Sequence, residues 1–317
     1  MQLSAKSWTL IALALCIALA PLAFPSSFYY RIGAVILVNG LAVTGLVILF
    51  GYAGQISLGH AGFAGIGGYS AALIPVHLEV HPVFGLLAGA VISGVLAFLI
   101  GRPVLRLKGY YLAVATLGFG ILVFIVLNNE ANLTGGPDGM GVESLGLRSL
   151  SNALGLGLNT SQVWYWFMGV VVLLGAYLAL NLHASPSGRA LRSLHDSEVA
   201  AGTLGVDVAR YKLTAFVISA VYASLAGSFQ ALLDGFITPD IAGFLQSIEW
   251  MTMTVLGGAA TVLGAIFGAG LLTALPQALT VFAEYEHMAL GLIMMLVMIF
   301  LPSGLLPSLA RQFRRGG

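Results

Sequence analysis

The chain has 317 residues, of which 59% are apolar and only 8% are charged. An average soluble domain carries about a quarter charged residues, so this sequence has too few polar side chains to cover a water-soluble globule. Apolar stretches recur from residue 8 to residue 301, which also excludes a soluble domain held by one anchor. The composition therefore predicts an all-α, polytopic membrane protein that forms a single transmembrane domain over 1–317.

About ten stretches are long and apolar enough to cross a bilayer, which takes roughly 20 residues per helix. They are predicted at 8–24, 32–50, 57–75, 82–101, 110–127, 162–182, 211–233, 245–258, 260–281 and 285–302. The first 25 residues also fit a signal peptide, with Lys6 before an apolar core and Ala18-Leu19-Ala20 as a cleavage site. Their apolar run is long for such a core, so a first transmembrane helix is the favoured interpretation.

The basic residues predict the orientation, because cytoplasmic loops of membrane proteins carry an excess of Lys and Arg. With three crossings in the tract 247–302, both termini lie on the cytoplasmic side. Eleven of the 13 basic residues then lie there too, and only Arg31 and Arg148 lie outside. The same 13 residues are scattered between apolar runs and make no basic face for nucleic acid.

Two of the predicted loops are long enough to carry a function. The outer, periplasmic loop at 128–161 contains a run of turn-forming residues at 134–139. The inner, cytoplasmic loop at 183–210 contains a predicted short helix at about 197–204, with Ser193 or Asp196 as its N-cap and Gly205 as its stop. Such a short helix is unstable alone, so we expect it to dock on its own bundle or on a partner.

Several kinds of chemistry are missing from the sequence. Cys16 is the one cysteine, which excludes an internal disulfide and a cysteine metal cluster. No Gly-x-x-x-x-Gly-Lys-Ser/Thr phosphate loop is present, so the chain is not predicted to hydrolyse ATP. The centres of the ten spans contain no Lys, Arg, Asp or Glu, unlike transporters driven by protons or sodium. Uphill transport would need energy from another protein, and a channel remains an alternative.

Several segments, in this order, carry a resemblance to a known family. They are GYAGQISLGHAGFAGIGGY at 51–69, LTGGPDG at 133–139, GRALR at 188–192, RYKLTAFVIS at 210–219, SIE at 247–249, VLGG at 255–258 and LPSGL at 301–305. Together they resemble the LivM-type permease subunit of bacterial branched-chain amino acid ABC importers. The resemblance extends over about residues 33 to 307.

The resemblance implies a type II-like ABC importer permease in the bacterial inner membrane, with no enzyme activity and no cofactor of its own. Implied partners are a second, LivH-type permease subunit, two cytoplasmic ATPases that bind ATP and Mg²⁺, and a periplasmic binding protein that delivers leucine, isoleucine or valine. Importers of urea, small amides or other hydrophobic amino acids would have the same features. A stand-alone facilitator or channel is the remaining alternative.

Three sets of residues are candidate sites. The first is the helix that would couple the chain to an ATPase, comprising Asp196, Glu198, Ala200, Ala201, Leu204 and Gly205. The second is a translocation pathway where glycines could open the third span, comprising Gln55, Ser57, Gly59 and His60; close helix packing by Gly59, Gly62 and Gly65 is the alternative. The third is a docking surface for the binding protein, or a plain turn, comprising Thr134, Gly135, Gly136 and Asp138. Ala260, Gly264 and Gly268 predict a packing face.

Overall fold

Long apolar helices account for most of the residues that the structure describes, as the composition predicts. The structure is a computed structural model that describes residues 5–107, 109–153, 155, 157–278, 291, 295, 299, 304, 305 and 308. Within these residues, seven helices are long and apolar enough to cross a membrane: Lys6–Ala23, Ser27–Tyr52, His60–Leu78, Pro82–Val104, Tyr110–Asn129, Thr160–Ala184 and Val208–Asp234. They confirm the first seven predicted spans.

The α-helices are α1 (Ala5–Leu19), α2 (Ser27–Leu46), α3 (His60–Leu78), α4 (Pro82–Val104), α5 (Tyr110–Asn129), α6 (Ala131–Thr134), α7 (Leu147–Ala153), α8 (Thr160–Ala184), α9 (Pro186–Asp196), α10 (Glu198–Thr203), α11 (Val208–Asp234), α12 (Phe244–Gly257) and α13 (Val262–Ala278). The two strands are β1 (Met140–Gly141) and β2 (Phe236–Ile237). Helices α12 and α13 match the predicted spans 245–258 and 260–281. The predicted span 285–302 lies outside the continuously described residues, as do Lys108, Arg311, Arg314 and Arg315.

The described chain divides into two units, which we treat separately. The first unit consists of residues 1–47, 148–180 and 250–317, and the second consists of 48–147 and 181–249. In the first unit, α13 packs along α2. The Asn39 side chain joins them, because its amide donates to Thr273 Oγ1 at 3.0 Å and its carbonyl accepts from Trp250 Nε1 at 2.9 Å.

Glycines allow the end of α12 to lie directly against α13. A Cβ atom at Gly257 would collide with the Gly264 carbonyl oxygen, and one at Gly268 would collide with the Met253 carbonyl oxygen. Small residues at helix interfaces permit such close backbone approach. The predicted packing face is therefore confirmed for Gly264 and Gly268, whereas Ala260 lies in the turn before α13.

In the second unit, α3 is the central helix and packs against α4, α5 and α11. Gly67 of α3 faces the Ser224 carbonyl of α11, and Gly227 of α11 faces the Ala64 carbonyl of α3; neither position has room for a Cβ atom. The glycines therefore set how closely α3 and α11 approach.

Both predicted loops contain more regular structure than expected. The loop 128–161 contains α6, α7 and β1, and β1 pairs antiparallel with β2, placing Met140 opposite Ile237. The loop 183–210 contains two helices, α9 and α10, because α8 continues to Ala184 and α11 begins at Val208.

Candidate coupling and translocation sites

Helix α9 is a short amphipathic helix that the hydropathy of the sequence does not reveal. It begins with Pro186, and the Ser185 hydroxyl oxygen accepts the Gly188 N–H at 3.1 Å, which caps its first turn. Leu191 and Leu194 are buried, whereas Arg189 is exposed. The Ser-Pro start and the two leucines three residues apart are the sequence signals that could have predicted this helix.

Helix α10 follows α9 directly and is capped by a different residue than predicted. The Ser197 hydroxyl oxygen accepts the Ala200 N–H at 3.2 Å, so Ser197 is the N-cap rather than Ser193 or Asp196. Both of those residues belong to α9, and Ser197 is the residue with extended backbone between the two helices (φ −163°). At the other end, Gly205 has a φ of +84°, which agrees with the predicted helix stop.

The exposed face of α10 is apolar. Val199 is 73% exposed and Leu204 is 82% exposed, and Ala200 beside them is also exposed. Ala201 is buried, and Asp196 lies in α9, so neither belongs to this exposed face. Large apolar side chains clustered at a surface mark an interaction site.

The inner side of α10 is held by an ion pair. The Glu198 carboxylate pairs with the Lys212 ammonium group near the start of α11, and Lys212 is only 4% exposed. The sequence placed Glu198 in the helix that would couple the chain to an ATPase, and in the structure its carboxylate contacts α11. A buried charge requires a partner of opposite sign, so this pair fixes α10 to α11.

Helix α9 is fixed to the end of α8 and to the chain after residue 52. Arg192 Nη1 donates to the His183 carbonyl oxygen at 2.8 Å, and Gly188 packs so closely on the Leu182 carbonyl that no Cβ fits. Gly54 lies against His195, where a Cβ atom would be 3.1 Å from Nδ1. The pair of helices α9 and α10 is thus attached at three places: the end of α8, the chain after residue 52 and, through Glu198, the start of α11.

The predicted pathway residues lie where the chain leaves and re-enters helical structure. A π-helical segment ends at Tyr52, and α3 begins at His60. His60 is fully buried; its Nδ1 is hydrogen-bonded to Ser57 Oγ at 2.9 Å and its Nε2 to Ser219 Oγ of α11 at 2.6 Å. Ser57 and His60 therefore connect the start of α3 to α11.

The backbone N–H groups at the start of α3 are satisfied by hydroxyls from other elements. Thr116 Oγ1 of α5 accepts the Leu58 N–H at 3.1 Å, and Ser247 Oγ of α12 accepts the Ala61 N–H at 3.0 Å. The first N–H groups of a helix have no partner within the helix, so Ser247 satisfies one of them, and Thr116 holds the residue just before the N-cap Gly59.

Gly59 allows a close approach of α5, since a Cβ atom there would collide with the Thr116 carbonyl oxygen. Gly62 and Gly65 similarly face Gly120 and Ala242. The structure therefore favours close packing for these glycines over an opening of the helix.

Gln55 differs from these glycines, because its side chain is polar and buried. Neither the oxygen nor the nitrogen of its amide group has a hydrogen-bond partner among the described residues.

The turn at 134–139 is a folded structural element with one exposed acid. Thr134 is 4% exposed, and its hydroxyl donates to the Leu127 carbonyl at 2.6 Å. Gly139 has a φ of +73° and lies against the Ile237 carbonyl, which leaves no room for a side chain. Gly136 is buried and Gly135 half-buried, so Asp138 is the exposed member of the predicted docking set.

We expect Ser219→Ala to destabilise the protein by about 1–2 kcal/mol, because it leaves the buried Nε2 of His60 without a partner. The melting temperature of the purified full chain in detergent measures this effect. Ser228→Ala is the matched control on α11: Ser228 is equally buried, but its hydroxyl donates only to the Ser224 carbonyl of its own helix. Equal melting temperatures of the two variants would contradict the bridging role of Ser219.

Seven helices long and apolar enough to cross a membrane define a polytopic membrane protein. The family described as "Branched-chain amino acid transport system / permease component" matches residues 29–301, and the chain belongs to this family. The resemblance inferred from the sequence motifs is confirmed.

Individual relatives agree with the family. The chain is 36% identical over 293 residues to the high-affinity branched-chain amino acid transport system permease protein LivM of Escherichia coli (strain K12), covering 85% of this chain and 68% of the relative. It is 28% identical over 294 residues to BraD of Pseudomonas aeruginosa, covering 85% of this chain and 94% of the relative. It is 26% identical over 285 residues to LivH of Salmonella typhimurium, covering 84% of this chain and 90% of the relative. No solved structure matches the chain significantly.

Proposed function

We propose that this chain is the permease subunit of an ATP-driven importer that carries leucine, isoleucine and valine across the bacterial inner membrane. The observation that carries the proposal is the similarity to LivM over 85% of the chain. The spans are apolar and contain few charged groups, which suits a substrate with an aliphatic side chain. Both termini lie in the cytoplasm in this proposal, as the distribution of basic residues predicts.

The importer needs further subunits, because this chain has no phosphate loop of its own. Its similarity to both LivM and LivH supports pairing with a second, LivH-type permease subunit. Two cytoplasmic ATPases would bind ATP and Mg²⁺, and a periplasmic binding protein would deliver the amino acid near Asp138.

Helix α10 is the proposed contact with an ATPase. Its exposed Val199, Ala200 and Leu204 supply an apolar face, and a helix of six residues needs such a partner or scaffold to be stable. Glu198 and Ala201 attach it to the bundle, and Gly205 ends it. In this proposal ATPase closure moves α10 together with α9 as one body.

A continuous set of contacts leads from α10 towards the proposed pathway. Glu198 pairs with Lys212 at the start of α11, and two helical turns later Ser219 of α11 is hydrogen-bonded to His60 of α3. Coupling between distant sites travels through such packed and hydrogen-bonded elements. Gln55, whose amide has no partner among the described residues, is the proposed polar group available to a passing amino acid.

We expect Gly205→Val to reduce the number of amino acids imported per ATP hydrolysed, because a β-branched residue strains a backbone with a φ of +84°. No atom lies within 4 Å of the position a Cβ would take, so the effect comes from the backbone and not from a clash. Gly205→Asn is the matched control, since Asn tolerates the left-handed conformation. Equal coupling ratios for both variants would contradict this role of Gly205.

The proposed function is tested by uptake into proteoliposomes that contain the chain, a LivH-type subunit, both ATPases and the binding protein. We expect radiolabelled leucine to enter only with ATP, and unlabelled isoleucine and valine to compete. Competition by urea or acetamide instead would assign the importer to amides. Uptake by the chain alone, without ATP, would identify a facilitator.

A further inference from the structure

A large cavity in the second unit lies where α4 ends and α11 begins. Its volume is about 920 Å³, and it is lined by Phe98, Arg102, Arg106, Val199, Arg210 and Leu213, among others. Since α4 and α11 are both long and apolar enough to cross a membrane, we expect the cavity to lie at the level where their apolar segments meet the aqueous phase.

The cavity is positively charged. Arg102 lies in the last turn of α4, Arg106 follows one turn later, and Arg210 lies in the first turn of α11. All three are exposed, and within the described part of the chain none of their guanidinium groups forms an ion pair. Of the two acids that line the cavity, Glu198 is paired with Lys212, and Asp207 accepts the Arg210 backbone N–H at 3.1 Å.

An exposed apolar stripe leads away from this cavity along α4. Val91, Val95 and Leu99 lie four residues apart on one face of the helix, with Phe98 beside them, and all four are exposed. The Arg102 guanidinium lies 4.4 Å from the centre of the Phe98 ring, so the basic group and the stripe adjoin. In a bilayer, such a surface contacts acyl chains.

We propose that this cavity binds an anionic phospholipid. Its phosphate contacts Arg102, Arg106 and Arg210, whose planar guanidinium groups match phosphate oxygens, and one acyl chain follows the stripe on α4. Basic pockets between membrane helices on the cytoplasmic side are suited to anionic headgroups. A soluble partner could cover the arginines, but it would not reach the apolar stripe on the membrane-crossing part of α4.

The inference requires that the chain spans a bilayer with this face in the cytoplasm, as in the proposed function, and it does not depend on the transported substrate. It adds a ligand to the face that carries α10, because Val199 of α10 lines the same cavity. A bound lipid would therefore touch the helix that we propose to contact an ATPase.

The test is lipid binding to the delipidated full chain, measured by native mass spectrometry. The chain is titrated with phosphatidylglycerol, with phosphatidylcholine of the same acyl chains, and with inorganic phosphate. We expect one phosphatidylglycerol to bind preferentially, and the triple variant Arg102→Gln/Arg106→Gln/Arg210→Gln to weaken it about tenfold or more. The variant Arg148→Gln/Arg189→Gln, which neutralises exposed arginines outside the cavity, should bind as the unmodified chain does.

Other outcomes overturn the proposal. Equal binding of phosphatidylcholine, or unchanged phosphatidylglycerol binding in the triple variant, would exclude an anionic lipid at these arginines. Displacement of the lipid by inorganic phosphate would assign the cavity to free phosphate. Loss of ATPase co-purification with unchanged lipid binding in the triple variant would assign it to the partner protein.

A second measurement on the unmodified chain covers the case in which the triple variant does not fold. Phosphatidylglycerol with a photoactivatable group on its acyl chain should label the α4 peptide that contains Val91, Val95 and Leu99. Labelling only of peptides outside α4 would contradict the proposed position of the lipid.

Discussion

Gly227→Val should prevent α3 and α11 from packing, and we expect a loss of about 3 kcal/mol in the free energy of unfolding. The added Cβ atom would overlap the Ala64 carbonyl oxygen, which is backbone of α3 and cannot rotate away as a side chain could. The two helices would have to separate, and the nearby contact of Gly67 with Ser224 would be lost with them. Thermal unfolding of the purified chain, followed by fluorescence-detected gel filtration, measures the change.

Gly118→Val on α5 is the matched control for this substitution. Gly118 also lies within an apolar membrane-crossing helix, but no atom lies within 4 Å of the position its Cβ would take. Valine has a higher helix propensity than glycine, so we expect little change in the unfolding temperature. Similar losses in both variants would show that the cost arises from placing valine at any glycine of these helices, and not from the close approach of α3 and α11.

Glu198→Ala should release α10 from α11 by leaving the Lys212 ammonium group buried without a partner. Breaking a fully buried ion pair by removing one member costs about 3–5 kcal/mol, and we expect a smaller cost for this pair because the Glu198 side chain is 34% exposed. The cost here falls on the attachment of one short helix, so we expect faster hydrogen exchange over residues 198–203 before any global unfolding. In the reconstituted importer we also expect fewer amino acids imported per ATP hydrolysed.

Two further variants separate the ion pair from a general effect of charge. Asp196→Asn removes an exposed acid from the neighbouring end of α9 and should leave the exchange of residues 198–203 unchanged. The double variant Glu198→Met/Lys212→Met removes both charges. It should restore much of the protection of residues 198–203 from hydrogen exchange, because no unpaired charge remains. If the double variant exchanges as fast as Glu198→Ala, the ion pair is not what holds α10.

The candidate sites were predicted unevenly, for reasons that differ from residue to residue. Gly205 could be predicted as a helix stop because a left-handed glycine after a short helix is a local property. For Ser57, Gly59 and His60 the sequence left two interpretations open, a pathway and close helix packing, because a cluster of small and polar residues is compatible with both. In the structure they contact Thr116 and Ser219, which are distant in sequence, so no local pattern could predict these contacts.

The local pattern also failed for the segment between α8 and α11. Ser193, Asp196 and Ser197 are all acceptable N-caps by residue type, and the choice among them depends on where α9 ends. Helix α9 is mostly polar, so the hydropathy that predicts membrane spans gives no signal for it. Its two buried leucines, Leu191 and Leu194, require a surface to pack on, and only the fold supplies that surface.

The sequence by itself determined that this protein is an all-α, multi-pass membrane permease, together with the positions of its first seven spans. It could do so because the thickness of the hydrocarbon core imposes one length and one composition on every crossing helix. The tertiary structure alone decided which residues meet: Glu198 with Lys212, His60 with Ser219, and the β1 strand with β2. In a bilayer, helix faces that are all apolar do not specify their neighbours by hydrophobicity, so close packing and individual hydrogen bonds make that choice.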